Sequence, residues 1–102
     1  MRVHHERMPI PLTHAQKNEL KARAQRLEPV LKLGQGGITP AFIKSLHEAL
    51  RQHGLVKIKF VAFKEEKKTL TPQLAEQTDS HLIMRVGNVA VFYREKPETE
   101  GE

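Results

Sequence analysis

Three glycines fall within four residues, Gly34-Gln35-Gly36-Gly37, and Ile38, Thr39 and Pro40 follow directly. Gly34 and Gly37 bracket a G-x-x-G spacing, and Gly36 adds a further residue without a Cβ. Another backbone can approach such a turn closely, and positive φ costs little there. Thr39 offers a hydroxyl to cap a helix, and Pro40 suits the first helical position because its missing N–H would have no partner there. The turn therefore opens onto a helix N-terminus, where unpaired N–H groups and the helix dipole favour a phosphate. The chemistry on offer is a grip on a nucleic-acid backbone by Gly34, Gln35, Gly36, Gly37 and Thr39. A tight strand-to-helix turn without a ligand accounts for the loop equally well, and from the loop alone both readings stand.

Other chemistries find less support. The chain has no cysteine, which excludes disulfides, zinc–thiolate sites and cysteine nucleophiles. The loop lacks the lysine and hydroxyl spacing of a Walker phosphate loop. Glu28, Glu48, Glu65, Glu66, Glu76 and Asp79 are scattered, with no carboxylate pair recurring at a spacing that would hold a metal on one face. His47, His53 and His81 are available as bases but fit surface or cap positions, and His4-His5 lacks an ordered third ligand. The expectation is a protein with no catalytic residues, metal site, cofactor or small-molecule substrate.

Charge points to a polyanion. The chain carries 17 Lys and Arg against 12 Asp and Glu, a net charge of +5. Sixteen of the basic and eight of the acidic residues lie in residues 1–94, a surplus of +8, while residues 95–102 form an acidic tail. Each phosphate neutralised by such a body releases counterions. A solvated surface of mixed charge is the plainer alternative. DNA ranks below RNA, because no helix combines recognition-helix polarity with a dimer signal. No apolar stretch approaches the ~18 residues of a membrane span, and the N-terminus lacks a signal-peptide core. A soluble, cytoplasmic protein that does not engage membranes is expected.

At 102 residues and 38% hydrophobic content, one small domain is implied. Residues 1–11, with Pro9 and Pro11, read as a flexible lead. A helix is predicted over residues 13 to about 26, from Thr13 and Gln16 at capping-box spacing, with Leu20, Ala24 and Leu27 as its core stripe. Val30, Leu31 and Leu33 make a brief strand broken by Lys32. The second helix runs from Pro40 to about His53, with Phe42, Ile43, Leu46, Ala49 and Leu50 inward, Lys44 outward near the loop, and Gly54 at its C-terminal stop. Residues 55 to about 63 alternate as a strand, with Lys57 and Lys59 sharing one face. A charged connection follows, and Thr71-Pro72 repeats the cap-then-proline signal, predicting a short helix over residues 72–78. Gly87-Asn88 turns a hairpin of residues 81–86 and 89–94, in which an unbroken register sets Met84 opposite Val91 and Ile83 opposite Phe92.

These elements give an α/β fold: a single compact domain in the order α-β-α-β-α-β-β, with a four-stranded mixed sheet packed on helices. The far face of the sheet is expected to be uncovered and to carry Lys32, Lys57, Lys59, Arg85 and Arg94 beside the glycine loop. Arg85 or Arg94 would stack on a base there, with Phe92 a possible partner.

Certain segments, in order, resemble a known family. They are Leu27-Glu28-Pro29-Val30 leading into the glycine loop, His53-Gly54-Leu55-Val56-Lys57-Ile58-Lys59, Lys68-Thr69-Leu70, and Val86-Gly87-Asn88 through Phe92-Tyr93-Arg94. Residues 12–94 resemble the CRM domain (chloroplast RNA splicing and ribosome maturation), most closely its stand-alone bacterial form, YhbY. The resemblance implies a compact fold similar to the C-terminal domain of a bacterial translation initiation factor. It also implies RNA binding through the G-x-x-G loop and nearby basic residues, and association with precursors of the large ribosomal subunit. Thr71-Pro72 departs from the family, whose third helix is usually longer. The expected partner is therefore ribosomal RNA of a large-subunit precursor, bound by a monomer. The alternative is an adaptor contacting a ribosomal protein or another acidic partner.

Overall fold

The computed structural model describes residues 11–95; the readings of the N-terminal lead before Pro11 and of the acidic tail after Glu95 lie outside the described residues. Thr13 starts the first helix, α1 (His14–Ala24), through a complete capping box. Its hydroxyl accepts from the Gln16 N–H at 3.1 Å, and Gln16 Oε1 accepts from the Thr13 N–H at 2.8 Å. The helix stops before its apolar pattern does. Arg26 and Leu27 donate to carbonyls three residues back, and this tightened turn leaves Leu27 36% exposed while Leu20 and Ala24 are buried.

β1 (Leu31–Leu33) leads through the glycine loop into α2 (Pro40–His53), and Gly54, at φ +80°, ends that helix. β2 (Leu55–Phe60) then pairs parallel with β1. It is shorter than its alternation predicts, because the N–H groups of Val61 and Ala62 both turn to the Leu33 carbonyl, at 3.0 and 3.1 Å. A 3-10 turn (Lys64–Glu66) precedes α3 (Lys67–Gln77). The cap-then-proline reading is corrected here: Pro72 lies inside the helix instead of opening it. Leu70, one turn before Leu74, packs against the core and draws an extra turn into the helix. The Thr71 hydroxyl donates to the Lys67 carbonyl at 2.8 Å, an intrahelical bond in place of a cap.

β3 (His81–Val86) and β4 (Val89–Tyr93) form the hairpin, with Gly87 at φ +58° in the turn. The sheet order is β1-β2-β4-β3, with only the β1–β2 pair parallel, so the four-stranded sheet is mixed. From the turn to Met84 opposite Val91 the hairpin register is the regular one; a bulge then sets Leu82, not Ile83, opposite Phe92. The bulge sends Leu82 to join Phe92 on one face and Ile83 and Met84 to join Val91 on the other. Both apolar sets are thereby packed.

Helices lie on both faces. Leu46, Leu50 and Leu74 from α2 and α3 pack with Leu33, Val56, Ile58, Phe60, Ala90 and Phe92. On the opposite face, α1 sets Leu20 and Ala24 against Leu55, Ile83 and Val91. The expected uncovered cationic face is thus half occupied by α1. The end next to the glycine loop, where Lys32 and Lys59 stand side by side in register, is left exposed.

Candidate nucleic-acid interface

The glycine loop is a closed turn. Gly37 takes φ +73° and its N–H donates to the Gly34 carbonyl at 3.0 Å. Gln35 and Gly36 form the exposed tip, while Ile38 packs on the core and anchors the loop's far end. The Thr39 hydroxyl accepts from the Phe42 N–H at 3.0 Å, and Pro40 occupies the first helical position without a donor. Among the described residues, none accepts from the N–H groups of Gln35, Gly36 or Ala41. All three residues are exposed; Ala41 lies in the first turn of the 14-residue α2, at its positive end, and Gln35 and Gly36 lie in the loop before it. The Gly37 amide and the Thr39 hydroxyl are already engaged within the turn and the cap.

The glycines differ in what they require. A Cβ on Gly36 would meet Thr39 Cγ2 at 3.6 Å, and one on Gly34 would meet Val61 Cγ2 at 3.9 Å, both ordinary contacts. A Cβ on Gly37 would lie 3.4 Å from Phe63 Cε2 on a backbone that disfavours side chains. Only the last is a steric necessity of the turn.

The five cations expected on one sheet face are divided by the fold, while Lys44 stands apart on α2. Lys32 and Lys59 are exposed neighbours on the α1 side of the sheet, and Lys32 stands two residues before the loop. Lys44 is exposed on α2 and lines an open hollow of about 710 Å³ with Thr39, Pro40, His47 and Glu48. Lys57 shares the face of Lys59 but is half-buried, and its Nζ donates to the Leu27 carbonyl at 2.8 Å, tying down the chain after α1.

Arg85, an exposed residue, and Arg94 lie on the other face of the sheet from the one expected, because β4 pairs with β2 so that Val91, not Ala90, stands opposite Lys57. Arg85 pairs with Ala90 on the face covered by α2 and α3, and its guanidinium reaches the Thr71 hydroxyl at 3.4 Å. Arg94 follows Tyr93 and so points to that same face. Its guanidinium donates to the carbonyls of Thr78 (2.8 Å) and His47 (3.2 Å) and contacts His47 Nδ1 at 2.9 Å. It pins the end of β4 to both helices. Phe92 is fully buried and offers no ring to a base.

Two residues that the sequence pattern treated as strand lie against the loop. Val61 faces Gly34, and the far edge of the Phe63 ring faces Gly37. Both are exposed, Val61 at 46% and Phe63 at 41%. The signal available in the sequence was an aromatic at the end of an alternating run, directly before the charged connection. Elsewhere, His81 stacks on Tyr93 with ring centroids 6.3 Å apart. Burial, aided by Lys17, holds its pKa below the ordinary histidine value against an opposing pull from Glu95. Among the described residues, no group of three His, Asp or Glu is gathered to hold a metal, and no helix is long and apolar enough to cross a membrane.

Comparison with known proteins agrees with this architecture. The chain is 33% identical over 90 residues to "Probable RNA-binding protein PA4753" of Pseudomonas aeruginosa, covering 87% of this chain and 86% of that one. It is 32% identical over 90 residues to "Probable RNA-binding protein YqeI" of Bacillus subtilis, covering 87% and 94%. The solution structure of a hypothetical protein from Staphylococcus aureus superposes with a TM-score of 0.75 at 33% identity, covering 88% of this chain and 95% of that one. The model of the CRS1 / YhbY (CRM) domain matches residues 12–94, and the chain belongs to that family.

Proposed function

We propose that this protein is a non-catalytic RNA-binding module that engages ribosomal RNA in precursors of the large subunit, as a cytoplasmic monomer. The observation that carries this reading is the exposed Gln35–Gly36 tip, whose amides are unengaged among the described residues, in the loop that leads into α2. It stands between the Lys32–Lys59 pair on one side and Lys44 on the other. The relatives named as RNA-binding proteins support it. In this arrangement the loop amides take backbone phosphates, as in a KH-type clamp. Lys32, Lys44 and Lys59 add salt-dependent attraction. Lys57 and Arg94 hold the scaffold that presents them, and Arg85 lies on the opposite face of the sheet from the Lys32–Lys59 pair. Phosphate contacts fix register without reading bases, so selectivity comes from RNA shape or from the ribosomal setting.

Sucrose-gradient sedimentation of a cell extract tests the ribosomal part. The expected result is co-migration with large-subunit precursors, abolished by ribonuclease and by raised salt. One observation favours the adaptor reading: a groove of about 720 Å³ beside α1, lined by Leu27 and Val30 with Arg23 and Arg26 set against Glu19 and Glu28, offers a partner segment of mixed charge a seat. Association that survives ribonuclease would replace the RNA reading with that one.

A further inference from the structure

Phe63 is out of place as a core residue. It belongs to neither packed cluster, remains 41% exposed, and adopts φ +56°, ψ +38°, a left-handed conformation uncommon for a bulky side chain. The chain is fixed on either side of it. The Val61 and Ala62 N–H groups hold the Leu33 carbonyl, and the Phe63 carbonyl accepts from the Glu66 N–H at 3.1 Å. A strained residue held between such anchors is a reason to ask what its side chain serves. The ring edge lies against Gly37, at 3.4 and 3.6 Å from the place of a Cβ, so the aromatic borders the glycine loop itself. Val61 borders Gly34 in the same way, and the two exposed side chains make an apolar edge alongside the loop. Cations flank that edge: Lys64 follows Phe63 directly, and Lys32 and Lys59 stand where the strands enter and leave.

We infer that Phe63 is a stacking platform for an unpaired nucleobase of the RNA strand whose phosphates the glycine loop holds. The inference rests on the RNA-binding reading and extends it, since it assigns a base-contacting residue to an interface otherwise made of phosphate contacts. The charge pattern selects the occupant. An apolar edge with Lys64 beside it and the Lys32–Lys59 pair where the strands meet the loop, ahead of Glu65 and Glu66 on the 3-10 turn, fits a ligand that pairs a flat apolar face with a polyanionic backbone, which single-stranded RNA supplies. Stacking of this kind accepts any base, because every base has a π-face. Phe63 therefore adds affinity for unpaired RNA without a sequence preference.

The test exploits the absence of tryptophan from the chain. Phe63→Trp places a single fluorophore on the platform and keeps an aromatic face there. Binding of a short fluorescein-labelled single-stranded RNA is followed by anisotropy, and tryptophan emission is followed with the same RNA unlabelled. Urea midpoints confirm that each variant is folded. Phe63→Trp is expected to bind as wild type does and to lose emission as RNA binds. Phe63→Ala is expected to bind about 5- to 100-fold more weakly, as for loss of one stacked base. The slope of affinity against salt stays unchanged, because no phosphate contact is removed. Phe63→Leu, which keeps an apolar side chain beside Gly37 but has no π-face, is expected to stay weak. Bound RNA with unaltered tryptophan emission, or full affinity in Phe63→Leu, would show that the ring is a packing wedge and overturn the inference alone. Failure of the wild-type protein to bind the RNA would instead overturn the RNA-binding reading.

Discussion

Arg94 distinguishes a scaffold role from a ligand role most sharply, because charge and position made it a candidate RNA contact and the fold turns it inward. Arg94→Ala removes guanidinium contacts that include those to the Thr78 carbonyl at 2.8 Å, to the His47 carbonyl at 3.2 Å and to His47 Nδ1 at 2.9 Å. Guanidinium only donates, so Nδ1 accepts and the ring proton resides on Nε2. A bond to a charged group is worth roughly 1.5–3 kcal/mol when its partner stays buried. Arg94 is half-buried, and water can reach part of the vacated site. About 1 kcal/mol for each carbonyl and somewhat less for the histidine gives ~2–3 kcal/mol in all, a large share of a native stability of about 5–15 kcal/mol. With a urea dependence near ~1 kcal/mol/M for a small domain, the unfolding midpoint by circular dichroism falls by about 2–3 M. Arg94→Lys keeps the charge but cannot reach two carbonyls at once, so it is expected to recover less than half of the loss. RNA affinity of folded Arg94→Lys should match wild type. A wild-type midpoint in Arg94→Ala, or a stable Arg94→Lys that loses RNA, would refute the clamp and return Arg94 to the interface.

Other consequences follow from the same geometry. Gly37→Ala places a Cβ on a left-handed backbone against Phe63 and should cost ~1–2 kcal/mol, whereas Gly36→Ala, where only Thr39 Cγ2 lies near, should be neutral or slightly stabilising. Equal urea midpoints for the two would contradict the assignment of the strained glycine. Pro72→Ala returns an N–H to the interior of α3 and is expected to stabilise by ~1–2 kcal/mol after the gain in unfolded-state freedom is subtracted; thermal melting at or below the wild-type temperature would count against it. His81 titrates below its ordinary value in the folded protein, so the unfolded chain binds the proton more readily. Stability contributed by its neutral form is complete above the unfolded pKa of about 6.5 and declines as pH falls from there toward the folded pKa. His81→Gln should flatten that part of the melting profile, and an unchanged slope would remove His81 as its source.

Where local and global signals agree, the sequence is readable almost residue by residue. α2 runs from Pro40 to His53 as its threonine cap, proline start, apolar stripe and glycine stop all require. The parallel β1–β2 pair follows as directly from the helical crossover between its strands, and the hairpin from its two-residue turn. α3 shows the opposite case. Thr71-Pro72 is a strong local start signal, yet burial of Leu70 beside Leu74 outweighs it and the helix begins a turn earlier. The bulge in β3 is hidden for a related reason: Leu82, Ile83 and Met84 are all apolar, so alternation alone does not say which one skips a face. The pairing of β2 with β4, which sets Lys57 opposite Val91 and Ile58 opposite Ala90, puts Arg85 on the other face from Lys57 and Lys59 and so decides where the cations point. Lys32 and Lys59 stay beside the loop while Arg85 and Arg94 turn toward the helices. The loop itself is legible as a shape. Its aromatic neighbour Phe63 is not, because the contact depends on β2 ending at Phe60 instead of running on.

The most direct measurement is the affinity of a fluorescein-labelled single-stranded RNA for wild type and Gly36→Asp across a salt series. Gly36 has room for a side chain and no left-handed backbone, so the aspartate puts a negative charge at the exposed tip without disturbing the turn. With three lysines acting on phosphates, log affinity for wild type should fall with log salt at a slope near about −2. Gly36→Asp should keep its urea midpoint and lose at least about tenfold in affinity, the scale of one charged contact reversed. A folded Gly36→Asp that binds as wild type does would mean that the glycines only shape a turn, and the claim that this loop holds RNA would be wrong.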